Sequence, residues 1–323
     1  MSSTGKKVYI TRRVPQPGFD ILKNAGCEIS IWDSDEAIPR EELLKNVPGI
    51  DGLFCMLTDS IDVEILNAAG PNLMVVATMS VGFEHIDVAE CKKRGIKVCN
   101  TPNVSTDSVA ELTVSLLLLT SRRLLEGVEA VKKGQWGLWK PMWLCGIEMS
   151  QRTLGILGLG RIGYGVARRL KPFGIKRILY NDVCKVAYAD DIGAEFVDFD
   201  TMCTEADVIC ICCNLTPQTR HKFNKTTFTK MKKSAIIINT GRGGVINHDD
   251  LYEALKSGQI FAAGLDVTEP EPLPADHPLV SLHNCIVLPH MGSNTWDSRN
   301  SMSETAGKNI LAVFNSEVPV GAI

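Results

Sequence analysis

Short apolar runs alternate with amphipathic stretches along nearly all of the 323 residues, and this rhythm restricts the fold more than any other feature. Val8–Thr11, CEISIW, DGLFCML, NLMVVATMS and IKVCN read as strands, while PGFDILKNAG, PREELLKNV, IDVEILNAAG and HIDVAECKKRG carry helical spacing. Strands separated by crossover helices run parallel. Continuous apolar runs are what parallel strands need when both faces are covered. From Ser105, SVAELTVSLLLLTSRRLLEGVEAVKKG reads as one long helix bridging two lobes. A tryptophan-rich loop follows, QWGLWKPMWLCG, and then a second alternating unit from RTLGILGLG. Its strands are TLGILG, RILYN, VICICC, AIIINT, AAGLDV and CIVLP, and TWDSRNSMSETAGKNILAVFNS closes the chain as a helix. A chain of this length exceeds what one core usually serves. The expected fold class is α/β, with two doubly wound parallel-sheet lobes.

Composition narrows the function. Apolar residues make up 45% and charged residues 22%, which is ordinary globular usage. Net charge is −3 and no basic stripe is visible, which argues against a nucleic-acid partner. Apolar-rich stretches such as Val114–Leu119 are far short of the ~20 residues that span a bilayer, so no membrane partner is expected. The opening MSSTGKKVYITRR has no apolar core of signal-peptide length, and a cytoplasmic location is expected. Eleven cysteines, an odd number without framework spacing, read as free thiols of a reducing compartment. Cys210, Cys212 and Cys213 alternate like strand side chains and lack the paired spacing of a zinc knuckle, so no metal site is expected.

Gly158-Leu159-Gly160-Arg161-Ile162-Gly163 forms a G-x-G-x-x-G between the strand TLGIL and the helical RIGYGVARRLKPFG. That context separates it from a glycine-rich turn of no function. The first glycine permits the tight turn, the second admits a pyrophosphate to the backbone, and the third lets helix and strand pack closely. The helix N-terminus then offers N–H groups and partial positive charge. This lobe is expected to be a Rossmann-type cofactor domain. Asp182 ends the next strand, 19 residues after Gly163 (182 − 163), near the spacing of a ribose-binding acid. Asn181 precedes it and is an alternative ribose neighbour. Only Lys185 is a nearby cation, so NAD(H) and NADP(H) both remain open as the cofactor.

Three titratable residues stand at strand ends of the second lobe, where open parallel sheets bind ligands. Arg242 follows AIIIN, Glu271 follows AAGLDV, and His290 follows CIVLP. Reduction of a 2-keto acid needs a fixed cation for the carboxylate and carbonyl, and arginine's planar fork suits both. It needs a proton donor at the nascent hydroxyl, a role for histidine. A carboxylate on the other ring nitrogen orients the imidazole and favours its protonated form. Glu269 and Asp266 compete with Glu271 for that place, and His277 and His283 with His290.

On these motifs the chain resembles the D-2-hydroxyacid dehydrogenase family: GLGRIG, LTPQT, INTGRGGVIN, GLDVTEPEPLP and LPHMGS occur in the family's order. The resemblance implies that Arg242, Glu271 and His290 are catalytic. It implies that backbone N–H groups of Val81 and Gly82, in MSVGFEHID, bind the substrate carboxylate. Asn214, Thr240, Asp266 and Ser293 would then line the nicotinamide or substrate pocket. TMSVG, WKPMWLCG, RRLKPFG and EPEPLPADHPL are similar to the glyoxylate reductase/hydroxypyruvate reductase branch, implying a small polar 2-keto acid as substrate. In that branch a tryptophan of the loop, here Trp139, reaches the partner's active site, which implies a homodimer. The branch's NADPH-binding arginine after the second strand is replaced here by Val183 and Lys185. The resemblance also implies a discontinuous flavodoxin-like substrate domain, residues 1–103 and 291–323, and a dinucleotide-binding domain, 104–290. A phosphoglycerate or lactate dehydrogenase, a formate enzyme with glutamine in place of Glu271, and a dinucleotide-sensing corepressor are the alternatives.

Overall fold

The computed structural model describes residues 3–323, and among these the apolar runs form twelve strands in two all-parallel sheets. The first sheet holds β1 (Lys7–Ile10), β2 (Glu28–Ile31), β3 (Gly52–Cys55), β4 (Val75–Thr78) and β5 (Lys97–Cys99), in the order β2-β1-β3-β4-β5. The second holds β6 (Thr153–Leu157), β7 (Arg177–Asn181), β8 (Ala194–Phe196), β9 (Val208–Ile211), β10 (Ile236–Asn239), β11 (Ala262–Leu265) and β12 (Cys285–Val287), in the order β12-β11-β10-β9-β6-β7-β8. The first order is flavodoxin-like and the second Rossmann-type, each reversing direction beside its first strand. The chain divides into two units, residues 1–105 with 294–323, and 106–293.

Burial explains why these runs become central strands. Ile236, Ile237 and Ile238 of β10 are fully buried, as are Ile209, Cys210 and Ile211 of β9. Each large aliphatic side chain so buried stabilises the fold by about 1.5–3 kcal/mol. Several helices start where a short polar side chain accepts from the first turn. Asp62, Asp87, Asp198, Asn224, Asn247 and Thr295 all do so. In the first unit the closing helix, Trp296–Phe314, lies against the helix Gln16–Asn24 and against β3 and β4. Gly18 and Gly307 face each other there, and a side chain on either would collide with the opposing backbone. Ser303 Oγ donates to Pro15 O at 2.8 Å across the same crossing.

Two expectations need correction. The run from Ser105 is not one helix, and it belongs wholly to the second unit apart from Ser105 itself. It breaks into Thr106–Ser121 and Leu124–Lys132 at Arg123, whose φ is +54°. Ser121 O accepts from Ile147 N at 2.8 Å, and Arg123 turns back onto Glu126 with two bonds of 2.7–2.8 Å. The first piece packs on β10, β11 and the helix Arg161–Leu170, as a core element of its unit. The second correction is β8, which the periodicity did not announce. It is a three-residue edge strand with only Ala194 buried, so its sequence carries almost no apolar signal.

Candidate active site

The glycine-rich turn is built as a cradle. Gly158 has φ +90°, and a Cβ there would sit 2.8 Å from the Cys213 backbone. Its N–H donates to Asn181 O at 2.8 Å. A Cβ on Gly163 would collide with Gly158 O, which is the close helix–strand approach expected of this position. Gly160 is different, because a Cβ there would meet nothing within 4 Å. It starts the helix Arg161–Leu170, and no side chain caps that helix. The open space at Gly160 and the uncapped first turn fit a phosphate.

Asp182 holds the turn from the next strand. Its Oδ2 accepts from Leu159 N at 2.8 Å and its Oδ1 from Val183 N at 2.7 Å. Tyr188 donates its hydroxyl to Leu159 O at 2.7 Å, a contact with no forewarning in the sequence. Asn181 turns elsewhere, its Nδ2 donating to Val197 O at 2.9 Å. Of the two candidates for the ribose, Asp182 is therefore the one directed at the glycine turn. Each of its oxygens keeps spare acceptor capacity for a ribose hydroxyl. Val183 is 97% exposed, and Cys184 and Lys185 are also exposed.

Beyond β9, β10, β11 and β12 the second unit gathers the remaining candidates. His290 Nδ1 and Glu271 Oε1 lie 2.5 Å apart, each side chain about one-third exposed. Burial pushes the Glu271 carboxyl up. The hydrogen bond and charge of His290, with Thr268 N–H and Arg242, outweigh it and hold the group below the usual carboxylate range. Arg242 Nη1 donates to Gly241 O at 2.8 Å, and Asn239 Nδ2 fixes Arg242 O at 2.9 Å. Thr240 is buried and shares a 2.8 Å hydroxyl contact with Thr113, a partner that sequence spacing could not supply. Asn214 is exposed in the loop after β9, its carbonyl accepting from Thr219.

Asp266 is 2% exposed, and its carboxylate accepts from Met291 N at 2.6 Å and Gly292 N at 2.8 Å. Burial raises its pKa and these two N–H groups oppose the rise. It thus ties the end of β11 to the loop that carries His290. Ser293 is half-buried two residues beyond Met291. The rivals separate cleanly. Glu269 binds Arg220 at 2.7 Å and His221 at 3.0 Å. His277 Nδ1 accepts from Leu279 N, and His283 is exposed. Neither ring pairs with Glu271.

In the first unit, Val81 is exposed and Gly82 half-buried in the loop after β4. Trp139 of the second unit is 84% exposed. The eleven cysteines are free. Burial pushes the Cys212 thiol up to about 12 and Cys213 up to about 11. Among the described residues no helix is long and apolar enough to cross a membrane.

Residues 114–292 match the family described as "D-isomer specific 2-hydroxyacid dehydrogenase, NAD binding domain". The chain is 53% identical over 313 residues to a human protein named glyoxylate reductase/hydroxypyruvate reductase, covering 96% of this chain and 95% of that one. The chain belongs to the D-isomer specific 2-hydroxyacid dehydrogenases. A glyoxylate reductase of Thermofilum pendens is 45% identical, with 97% of this chain and 93% of that protein covered. The crystal structure of the TT0316 protein from Thermus thermophilus superposes with a TM-score of 0.93 at 38% identity, covering 98% and 99% of the two chains. The dehydrogenase is thus an oxidoreductase with an NAD-binding Rossmann domain, and the cradle at Gly158–Gly163 lies inside the matched span.

Proposed function

We propose that this dehydrogenase reduces glyoxylate to glycolate and hydroxypyruvate to D-glycerate with NADH or NADPH. The observation that carries the reading is the Glu271–His290 pair beside the Arg242 loop. It occurs in a chain 53% identical to a relative named for these two substrates. A reduced nicotinamide, when bound, supplies the hydride.

The protein's residues do the rest. Gly158, Gly160, Arg161, Ile162 and Gly163 receive the pyrophosphate at an uncapped helix start. Asp182 accepts from the ribose hydroxyls, and Asn214, Thr240 and Asp266 border the nicotinamide. Arg242 binds the carboxylate and polarises the keto oxygen through two N–H groups. The N–H groups of Val81 and Gly82 serve as donors for a substrate carboxylate. Glu271 fixes Nδ1 of His290, so the proton for the keto oxygen is held at Nε2. Ser293 and Trp139 line the substrate side. Residues 1–103 and 291–323 act as the substrate-binding domain, and 104–290 as the dinucleotide-binding domain.

We also infer a homodimer. Leu124, Leu125, Val128 and Val131 are exposed on one helix, and Trp136, Leu138, Trp139 and Met142 are exposed in the loop after it. A soluble monomer seldom leaves so much apolar surface open, and a second copy would cover it. The free cysteines fit a reducing, cytoplasmic compartment. Steady-state kinetics with glyoxylate and hydroxypyruvate against NADH and NADPH tests the central reading. Turnover of roughly 1–10³ s⁻¹ is expected with at least one pair. Absence of turnover with all four pairs overturns it.

A further inference from the structure

The first unit contains a device for aiming two backbone N–H groups. Neither Val81 N–H nor Gly82 N–H donates to another group among the described residues. The carbonyls across their own peptide planes, by contrast, are both held. Ser80 O accepts from Thr101 N at 2.9 Å. Val81 O accepts from Asn100 Nδ2 at 2.7 Å. In a trans peptide the N–H points opposite to the C=O of the same plane. Pinning Ser80 O therefore directs Val81 N–H away from Thr101, and pinning Val81 O directs Gly82 N–H away from Asn100.

A third anchor acts on the next plane, and its proton order is forced. Ser80 Oγ lies 2.6 Å from Gly82 O, a group that can only accept, so Ser80 donates there. Its hydroxyl proton is then committed, and Thr78 Oγ1 must donate across the 2.7 Å contact to Ser80 Oγ. Thr78 in turn accepts from His85 Nε2 at 3.0 Å, which places a proton on that nitrogen. Thr78 and Ser80 are buried, so the chain of donors is shielded from competing water. Asn100 is itself anchored at its backbone. Its N–H donates to Gly321 O at 2.9 Å, and its carbonyl accepts from Asn309 Nδ2 at 2.9 Å.

We propose that Asn100 is a positioning residue for substrate, aiming the Gly82 N–H of the Val81 and Gly82 pair at the carboxylate together with the His85–Thr78–Ser80 hydroxyl chain, while Thr101 N–H holds the plane of the Val81 N–H. The inference rests on the proposed assignment of that pair to a 2-keto acid carboxylate. Donors held ready before binding spare the substrate the cost of ordering the loop. They serve substrate and transition state alike, so their loss raises KM while kcat changes little.

The test replaces Asn100→Leu, which keeps the shape and removes the donor. KM for glyoxylate is expected to rise about tenfold, the equivalent of one hydrogen bond to a charged group. The KM for NADH or NADPH stays within about twofold of wild type, a split that general loosening of the fold would not produce. Oxamate, a carboxylate shaped like a 2-keto acid that accepts no hydride, provides a second readout by direct titration. Its Kd should rise by the same factor. Should Asn100→Leu fold poorly, Ser80→Ala removes the third anchor and is expected to raise both constants several-fold, with Ser80→Thr restoring them. Unchanged KM and oxamate affinity in a folded variant overturn the proposal. Wild-type protein that binds oxamate in an Asn100-dependent way but turns over neither keto acid would leave the aiming device standing and overturn the assigned reaction.

Discussion

Replacement of Gly160 by valine should separate dinucleotide binding from folding. Gly160 has φ −73° and ψ −165°, an extended conformation open to any residue. A Cβ there would meet nothing within 4 Å, so no clash arises in the protein itself. The remaining cost is the poorer helix start, about 1 kcal/mol. That corresponds to roughly 2–4 °C in Tm for a unit of this size. The isopropyl group occupies the space through which a phosphate would reach the first turn. Loss of one charge-assisted hydrogen bond there is worth about 1.5–3 kcal/mol, or roughly 10- to 150-fold in Kd. Gly158→Ala is the contrast. Its φ of +90° and the Cys213 backbone 2.8 Å away make it a folding lesion. Left-handed strain and overpacking together cost roughly 2–5 kcal/mol. NADH fluorescence titration beside thermal melts reads both effects. Normal NADH affinity in Gly160→Val, or a melting loss equal to that of Gly158→Ala, would refute the reasoning.

Two further outcomes concern histidines. His290→Gln should lower turnover by at least about 10²-fold with NADH affinity retained, since it removes the proposed proton donor and leaves the cradle untouched; near-normal turnover in stopped-flow or steady-state assays sinks that role. His248 is 7% exposed, and burial, with His277 beside it, lowers its pKa from 6.5 to about 4. The unfolded chain takes up a proton as pH falls through 6.5 while the folded chain does not until about 4, so stability present above pH 6.5 is lost across that window. The full loss is about 3 kcal/mol. Urea unfolding of wild type and His248→Leu at pH 7, 5.5 and 4.5 checks it, and parallel pH dependence in the two proteins would rule it out.

The fold was legible because each central strand is a continuous apolar run and each crossover helix is amphipathic. The G-x-G-x-x-G was legible because its three glycines meet three different steric demands, at Gly158, Gly160 and Gly163. What stayed hidden depended on contacts between distant residues. β8 is too exposed to leave an apolar pattern. The break at Arg123 depends on Ile147 and Glu126, not on a glycine or proline in the run. That Asn181 and Asp182 turn different ways depends on which distant group each side chain meets, Val197 O or Leu159 N. The tie from Asp266 to residues 291 and 292 spans about 25 positions and has no periodic signature.

That last tie explains how the imidazole can be held where it is. His290 adopts φ +54°, a conformation that costs a residue with a side chain roughly 1–2 kcal/mol. Such a backbone persists only when its surroundings over-determine it. Here three hydrogen bonds do so, all to Asp266: His290 N to Asp266 O at 3.0 Å, and Met291 N and Gly292 N to its carboxylate. The two bonds to the carboxylate are charge-assisted and together outweigh the strain. Glu271 approaches from the same β11 loop, its Oε2 accepting from Thr268 N at 3.2 Å. His290, the proposed proton donor, and Glu271 are therefore both referenced to the end of one strand, β11. Their separation is set by a scaffold of a few residues, although they stand 19 positions apart in the chain.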